Sequence, residues 1–199
     1  MKNLNKTIGK KKKIISNYNK TASFYDNRYR EIQEQKYKII LKNYQFKSKL
    51  ILDAGCGTGL FIEFIIALTN QKDFIPFIYV GTDISLNMLD RFRIKLQRLK
   101  LKYEFNLILS DIENLPFREN VFQCIFSLTS FQNLPNIDEG VRNLYRVGKN
   151  NADLNLSILK KNCNLIELMK SLKPLVKNLK TNNKENLEDI IIHGKILKR

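Results

Sequence analysis

The sequence predicts an open α/β sheet in which strands and helices alternate and an antiparallel pair closes the chain. Three observations carry this prediction. Leu50-Ile51-Leu52-Asp53 is an apolar run ending in an acid, followed by glycines at 55, 57 and 59 and the apolar stretch Leu60 to Leu68. That order reads as a buried strand, a tight turn and a buried helix. The unit then repeats, because the apolar run 74–82 ends at Asp83 and Leu89, Phe92, Leu96 and Leu99 share one helical face beyond it. Finally, residues 174–198 read as a hairpin with Asn182-Asn183 near its turn.

Taken in order, residues 1–16 carry Lys2, Lys6 and Lys10 to Lys13 and read as a basic flexible tail. Residues 17–199 read as a single domain, with 17–45 as an N-terminal arm and 46–199 as its core. The arm holds Tyr18, Phe24, Tyr25 and Tyr29, spaced irregularly for one helix face, and a helix over 31–44 offers Ile32, Ile39, Ile40 and Tyr44 for burial. The helix near 59–68 is apolar nearly all round, with Glu63 the exception. Ser85 is placed to cap the next helix. Strands are predicted over 103–110, ending at Asp111, and over 121–128. Asn136, Asp138 and Glu139 open a helix that runs to Gly148, read as its left-handed terminal residue. A strand over 153–160, a helix over 163–173 and a last strand from Asp189 to Lys198 complete the chain.

Composition narrows the setting. No apolar run reaches the roughly 18 residues that a membrane span needs, so stable membrane insertion is not expected. The lysines at the start are followed by no apolar stretch of the secretory kind. Cys56, Cys124 and Cys163 fit neither a disulfide framework nor a metal-site spacing, and no metal is expected. A reducing cytoplasm is the simplest location. The net charge of +16 invites a nucleic-acid reading. However, Lys, Asn and Ile make up 73 of 199 residues, the bias of an AT-rich coding sequence, so the charge leaves that reading open.

The glycine turn discriminates between cofactors. A dinucleotide turn needs G-x-G-x-x-G, and here Leu60 stands where the last glycine belongs. A phosphate-binding P-loop needs Gly-Lys-Ser/Thr, which is absent. What stands is Asp53-x-Gly55-x-Gly57-x-Gly59. An acid before the turn repels a pyrophosphate and suits a cationic ligand carrying an amino group. Ligands of open α/β sheets bind at the carboxyl ends of the strands, where Asp53, Asp83, Asp111 and the 127–133 segment converge.

This turn, with Cys56 inside it, resembles motif I of the class I S-adenosylmethionine-dependent methyltransferases, and the surrounding segments resemble their UbiE-like, type 11 branch. The resemblance covers roughly residues 18–160 and implies a Rossmann-like open sheet of about seven strands, helices on both faces and the last strand antiparallel. It implies S-adenosyl-L-methionine as cofactor. Tyr18-x-x-x-Ala22-x-x-Tyr25-Asp26 matches the arm that folds over the cofactor as part of a lid. Asp83, with Ile84 beside it, takes the place of the ribose-binding acid. Asp111-Ile112, in Asp-Ile-Glu-Asn-Leu-Pro-Phe, takes the place of the acid and apolar residue at the adenine. Met88 is placed either to cover the adenine or to pack in the core, and Ser127 opens the 127–133 segment, whose position in this fold faces the transferable methyl group. Phe131, Gln132 and Asn133 line the acceptor pocket or serve as loop and capping residues. Lys149-Asn150-Asn151-Ala152 departs from the Lys-Pro-Gly-Gly turn of this branch.

The implied reaction is an in-line displacement onto a small-molecule, lipid-like or RNA acceptor, driven mainly by positioning. The Asn-Pro-Pro-Tyr signature of amino-directed nucleic-acid enzymes is absent. The alternative is a non-catalytic S-adenosylmethionine-binding subunit that needs a partner chain. His193 lies in the last strand, away from the strand ends, and reads as structural.

Overall fold

The computed structural model describes residues 2–42, 44, 50–68, 78–99, 104–162 and 164–198. Seven strands form one sheet: β1 (Leu50–Ala54), β2 (Ile78–Asp83), β3 (Phe105–Leu109), β4 (Phe122–Leu128), β5 (Gly148–Leu159), β6 (Val176–Asn182) and β7 (Asp189–Ile196). Their spatial order is β3-β2-β1-β4-β5-β7-β6. β1 to β5 run parallel, and β7 lies antiparallel between β5 and β6. The chain moves outward from β1 to β3, then returns to the other side of β1 with β4. That reversal opens a crevice beyond the carboxyl ends of β1 and β4.

Side-chain alternation sends successive residues of each strand to opposite faces. Leu52, Ala54, Ile125, Leu154 and Leu156 pack toward α5 (Ile137–Val147) and α6 (Leu165–Leu172). Ile51, Tyr79, Cys124 and Phe126 pack toward α2 (Tyr25–Leu41), α3 (Leu60–Leu68) and α4 (Leu86–Leu99). The caps follow the sequence. Ser85 Oγ accepts from the Met88 N–H at 3.2 Å, and Asn136 Oδ1 accepts from the Glu139 N–H at 3.2 Å. Each satisfies an amide that its helix leaves unpaired.

Three expectations are corrected. Residues 2–21 form a helix, α1 (Lys2–Thr21), where a flexible tail is predicted through residue 16. It has no acid to pair its lysines internally, and contacts with the rest of the chain hold it. The arm helix begins at Tyr25 rather than 31, so Tyr25 and Tyr29 lie on α2 with their rings 4.7 Å apart. Gly148 is extended at φ −77°, because it opens β5 opposite Phe122 instead of terminating α5 in the left-handed region. A methyl there would meet Ile196 Cδ1 at 2.2 Å and the Leu144 carbonyl oxygen at 3.3 Å, so close packing favours the glycine. β5 therefore starts five residues before the predicted 153, and the turn expected at 149–152 is a bulge with Asn151 at φ 64°. The first residues of the second and third predicted strands, the 45/46 boundary and Cys163 lie outside the described residues. Among the described residues no helix is long and apolar enough to cross a membrane.

Candidate active site

The glycine turn leaves β1 through three left-handed residues, Gly55 (φ 84°), Gly57 (φ 56°) and Gly59 (φ 80°). Two of the three are also steric necessities. A methyl on Gly55 would lie 2.1 Å from Ser130 Oγ, and one on Gly59 would lie 2.2 Å from Phe92 Cδ2. Gly57 has open space where its side chain would be, and that space belongs to a cavity. The Gly57 N–H donates to Asp83 Oδ2 at 2.9 Å, and the Ser85 N–H donates to Asp83 Oδ1 at 2.8 Å. These bonds fix the carboxylate at the cavity wall and leave lone pairs on both oxygens for further donors. Burial raises the pKa of Asp83, and the backbone amides of Ser85, Gly57 and Ile84 oppose that rise.

The cavity brings together Tyr25, Gly55, Gly57, Asp83, Ile84, Met88, Asp111 and Ile112. Asp53, Cys56, Gly59 and Ser127 do not line it. Asp53 shares the parity of Ile51 and points into the α2–α4 face, where it accepts from Tyr79 Oη at 2.6 Å. Burial pushes its pKa up to about 7 against that hydrogen bond. Cys56 is buried in the same apolar cluster. Ser127 Oγ donates to the Ala54 carbonyl at 2.7 Å, tying β4 to β1 beneath the crevice. His193 lies away from the cavity, with Nδ1 2.8 Å from Asn155 Oδ1, and burial lowers its pKa.

The N-terminal segment closes the cavity. Lys11, Ile14 and Tyr18 of α1 form part of its wall. Lys11 Nζ lies 2.6 Å from Asp111 Oδ2 and also pairs with Glu113. Burial works to lower the Lys11 pKa, but the two carboxylates outweigh it and hold the pKa above its ordinary value. Asn133 Nδ2 donates to Tyr18 Oη at 2.8 Å, and Ser85 Oγ donates to Asn19 Oδ1 at 2.6 Å. Lys11 and Ile14 carried no signal separating them from the rest of the tail, and Tyr18 was visible only as one aromatic of the arm.

Beyond β4, Thr129, Ser130 and Asn133 complete the wall. Phe131 is fully buried instead, and Gln132 Nε2 donates to the Thr129 carbonyl at 2.6 Å. Ser110, the last residue of the third predicted strand, also lines the cavity, and its buried hydroxyl has no hydrogen-bond partner among the described residues. A fixed carboxylate, an unfilled space at Gly57, an unpartnered hydroxyl and the apolar Ile112 and Met88 together fit a polar nucleoside with a flat ring.

A family model described as a methyltransferase domain matches residues 52–155, more than half of the chain. Malonyl-[acyl-carrier protein] O-methyltransferase of Buchnera aphidicola subsp. Baizongia pistaciae is 32% identical over 140 residues, 70% of this chain and 51% of that protein. The ubiquinone/menaquinone biosynthesis C-methyltransferase UbiE of Haemophilus ducreyi is 29% identical over 103 residues, 52% of this chain and 38% of that protein. The chain thus spans about half or less of the length of the curated relatives it matches. Among solved structures, a SAM-dependent methyltransferase from Aquifex aeolicus superposes with a TM-score of 0.70 at 17% identity, covering 90% of this chain and 98% of that one. Magnesium protoporphyrin IX methyltransferase from Synechocystis PCC 6803, with bound SAM, gives 0.71 at 15% identity, covering 94% and 97%. At these identities the likeness shows the fold alone.

Proposed function

The chain belongs to the methyltransferase-domain family, and from that premise we propose that it transfers a methyl group from S-adenosylmethionine to a small-molecule acceptor. The observation that carries this reading is the Asp83 carboxylate, held at the cavity wall by the Gly57 and Ser85 amides beside an unfilled glycine. When bound, the cofactor supplies an electrophilic methyl group on a sulfonium. Among the lining residues, Asp83 would receive the ribose hydroxyls, Gly55 and Gly57 would let the backbone approach, and Asp111 would take the adenine amino group. Ile112 and Met88 would offer apolar surface to the flat ring. Tyr18 and Tyr25 exclude water above the cavity, and burial raises the pKa values of both phenols above their ordinary value.

The cavity lining supports a small acceptor. It presents Ile14, Tyr18, Tyr25, Leu134 and Pro135, and the one cation among the described lining residues, Lys11, is already paired with two carboxylates. A second reading, an RNA acceptor, is favoured by the exposed Lys12, Lys13 and Lys20 on the outer side of α1. Purified chain, radiolabelled S-adenosylmethionine and cell extract separate the two. Label in an organic or low-mass fraction is expected, whereas label released by ribonuclease selects RNA. No transfer by the chain alone would discard the activity. Asp83→Ala should weaken S-adenosylmethionine binding by roughly ten- to a hundred-fold in calorimetry, the loss of hydrogen bonds to a charged group. Unchanged affinity would displace the ribose from Asp83.

A further inference from the structure

α2 carries a lysine that reaches neither solvent nor the cavity. Lys36 is 1% exposed, and its Nζ lies 2.8 Å from Oδ2 of Asp189, which is 2% exposed at the start of β7. Burial drives the Lys36 pKa down, and Asp189 opposes it. Such a pair is often no more stabilising than well-packed apolar residues of the same volume, so its presence calls for another account.

Thr129 provides one. Its hydroxyl donates to Asp189 Oδ2 at 2.8 Å and accepts from Lys36 Nζ. Its N–H donates to the Ser157 carbonyl at 2.9 Å and lies 3.0 Å from Ser157 Oγ, and its carbonyl accepts from Gln132 at 2.6 Å. Four elements therefore fix one residue: α2, β5, β7 and the turn Phe131–Asn133. Its backbone stands at φ 59°, a conformation that a β-branched side chain disfavours. A strained residue persists only when its surroundings over-determine it, and such residues gather at functional sites. Thr129 is the first residue beyond β4, on the cavity wall. Next to it Ser130 abuts Gly55, and Asn133 meets Tyr18.

We propose that Lys36 and Asp189 are positioning residues for the acceptor end of the cavity. The buried pair holds Thr129 left-handed, and Thr129 in turn sets Ser130 and Asn133 against the glycine turn and the tyrosines of the arm. The inference rests on reading the cavity as a methyl-transfer site. It separates the two ends of that cavity: the cofactor end, at Asp83 and Asp111, makes no direct contact with the pair.

The test is the double variant Lys36→Met/Asp189→Leu, which replaces the ions by apolar side chains. Its melting temperature should stay within a few degrees of wild type, and its affinity for S-adenosylhomocysteine, held at Asp83 and Asp111 away from the pair, should fall far less than the transfer rate. Methyl transfer into the responsive extract fraction should fall by about ten-fold or more, in kcat rather than in cofactor KM, because small misplacements are costly to an in-line reaction. Its crystal structure should show Thr129 out of the left-handed region. A folded variant that retains Thr129 left-handed, or that transfers at the wild-type rate, overturns the proposal. Should the double variant fail to fold, Thr129→Gly decides. It removes the hydroxyl through which the pair holds residue 129, so a folded chain with reduced transfer is expected, and full transfer overturns the positioning role. If the wild-type chain neither binds S-adenosylhomocysteine nor transfers methyl, the functional reading fails, and the Thr129 backbone in the variant crystal still decides whether the pair positions it.

Discussion

The two helices that precede the sheet are fastened to it in opposite ways. α2 buries Gln33, Lys36, Tyr37, Ile40 and Leu41, and its lysine is ion-paired where water does not reach. α1 buries no side chain completely between Thr7 and Thr21, and mainly polar contacts fasten it: Lys11 to Asp111 and Glu113, Lys10 Nζ to the Leu134 carbonyl at 2.7 Å, Tyr18 to Asn133 and Asn19 to Ser85. The difference separates scaffold from cover. Burial ties the opening of a segment to global unfolding, whereas exposed polar contacts release it locally. α2 therefore belongs to the frame that places Thr129, and we propose that α1 is the part that lifts to admit a ligand.

The largest effect should come from breaking the α2 anchor on one side only. Lys36→Ala leaves Asp189 buried without its cation and should cost about 3–5 kcal/mol in urea denaturation. A loss below about 1 kcal/mol would mean that water reaches the pair. Next is the pH response of the sheet face that α2 covers. The unfolded chain releases the Asp53 proton near pH 4, while the native state keeps it to about pH 7. Over that window the native state binds more protons, so stability should fall as pH rises, by about 4 kcal/mol for this group, with the loss complete above pH 7. Asp53→Asn should flatten that slope, and an unaltered slope would assign it to another group.

Lys11→Met tests the cover. It should change global stability by less than about 1 kcal/mol, since the pair is partly exposed. Amide exchange in α1 should nevertheless accelerate while α2 is unaffected. Equal acceleration in both helices would erase the distinction drawn between them. The smallest effect is expected from salt. Raising ionic strength to about 1 M, where the screening length is about 3 Å, should loosen α1 alone.

Much of this was legible in the sequence, for local reasons. The alternation of apolar runs with amphipathic segments specifies the sheet, because strand and helix periods follow from backbone geometry. Ser85 and Asn136 are legible as caps because capping is a contact across three residues. Asp83, Asp111 and Ile112 are legible as wall residues because strand ends converge at the order reversal. The same logic places Asp53, Cys56, Gly59 and Ser127 with them, and for these a motif's spacing does not show which way each residue turns. Asp53 turns toward Tyr79 and Ser127 toward Ala54 instead.

The sequence by itself determined the order of elements, the three-glycine turn and the carboxylates at the strand ends, since each is written within a few neighbouring residues. Only the tertiary structure decided that Lys11 closes on Asp111 and that Lys36, Thr129 and Asp189 meet. Those contacts span 100, 93 and 60 residues of chain, and a contact across such distances is fixed by how the elements pack, which no local pattern encodes.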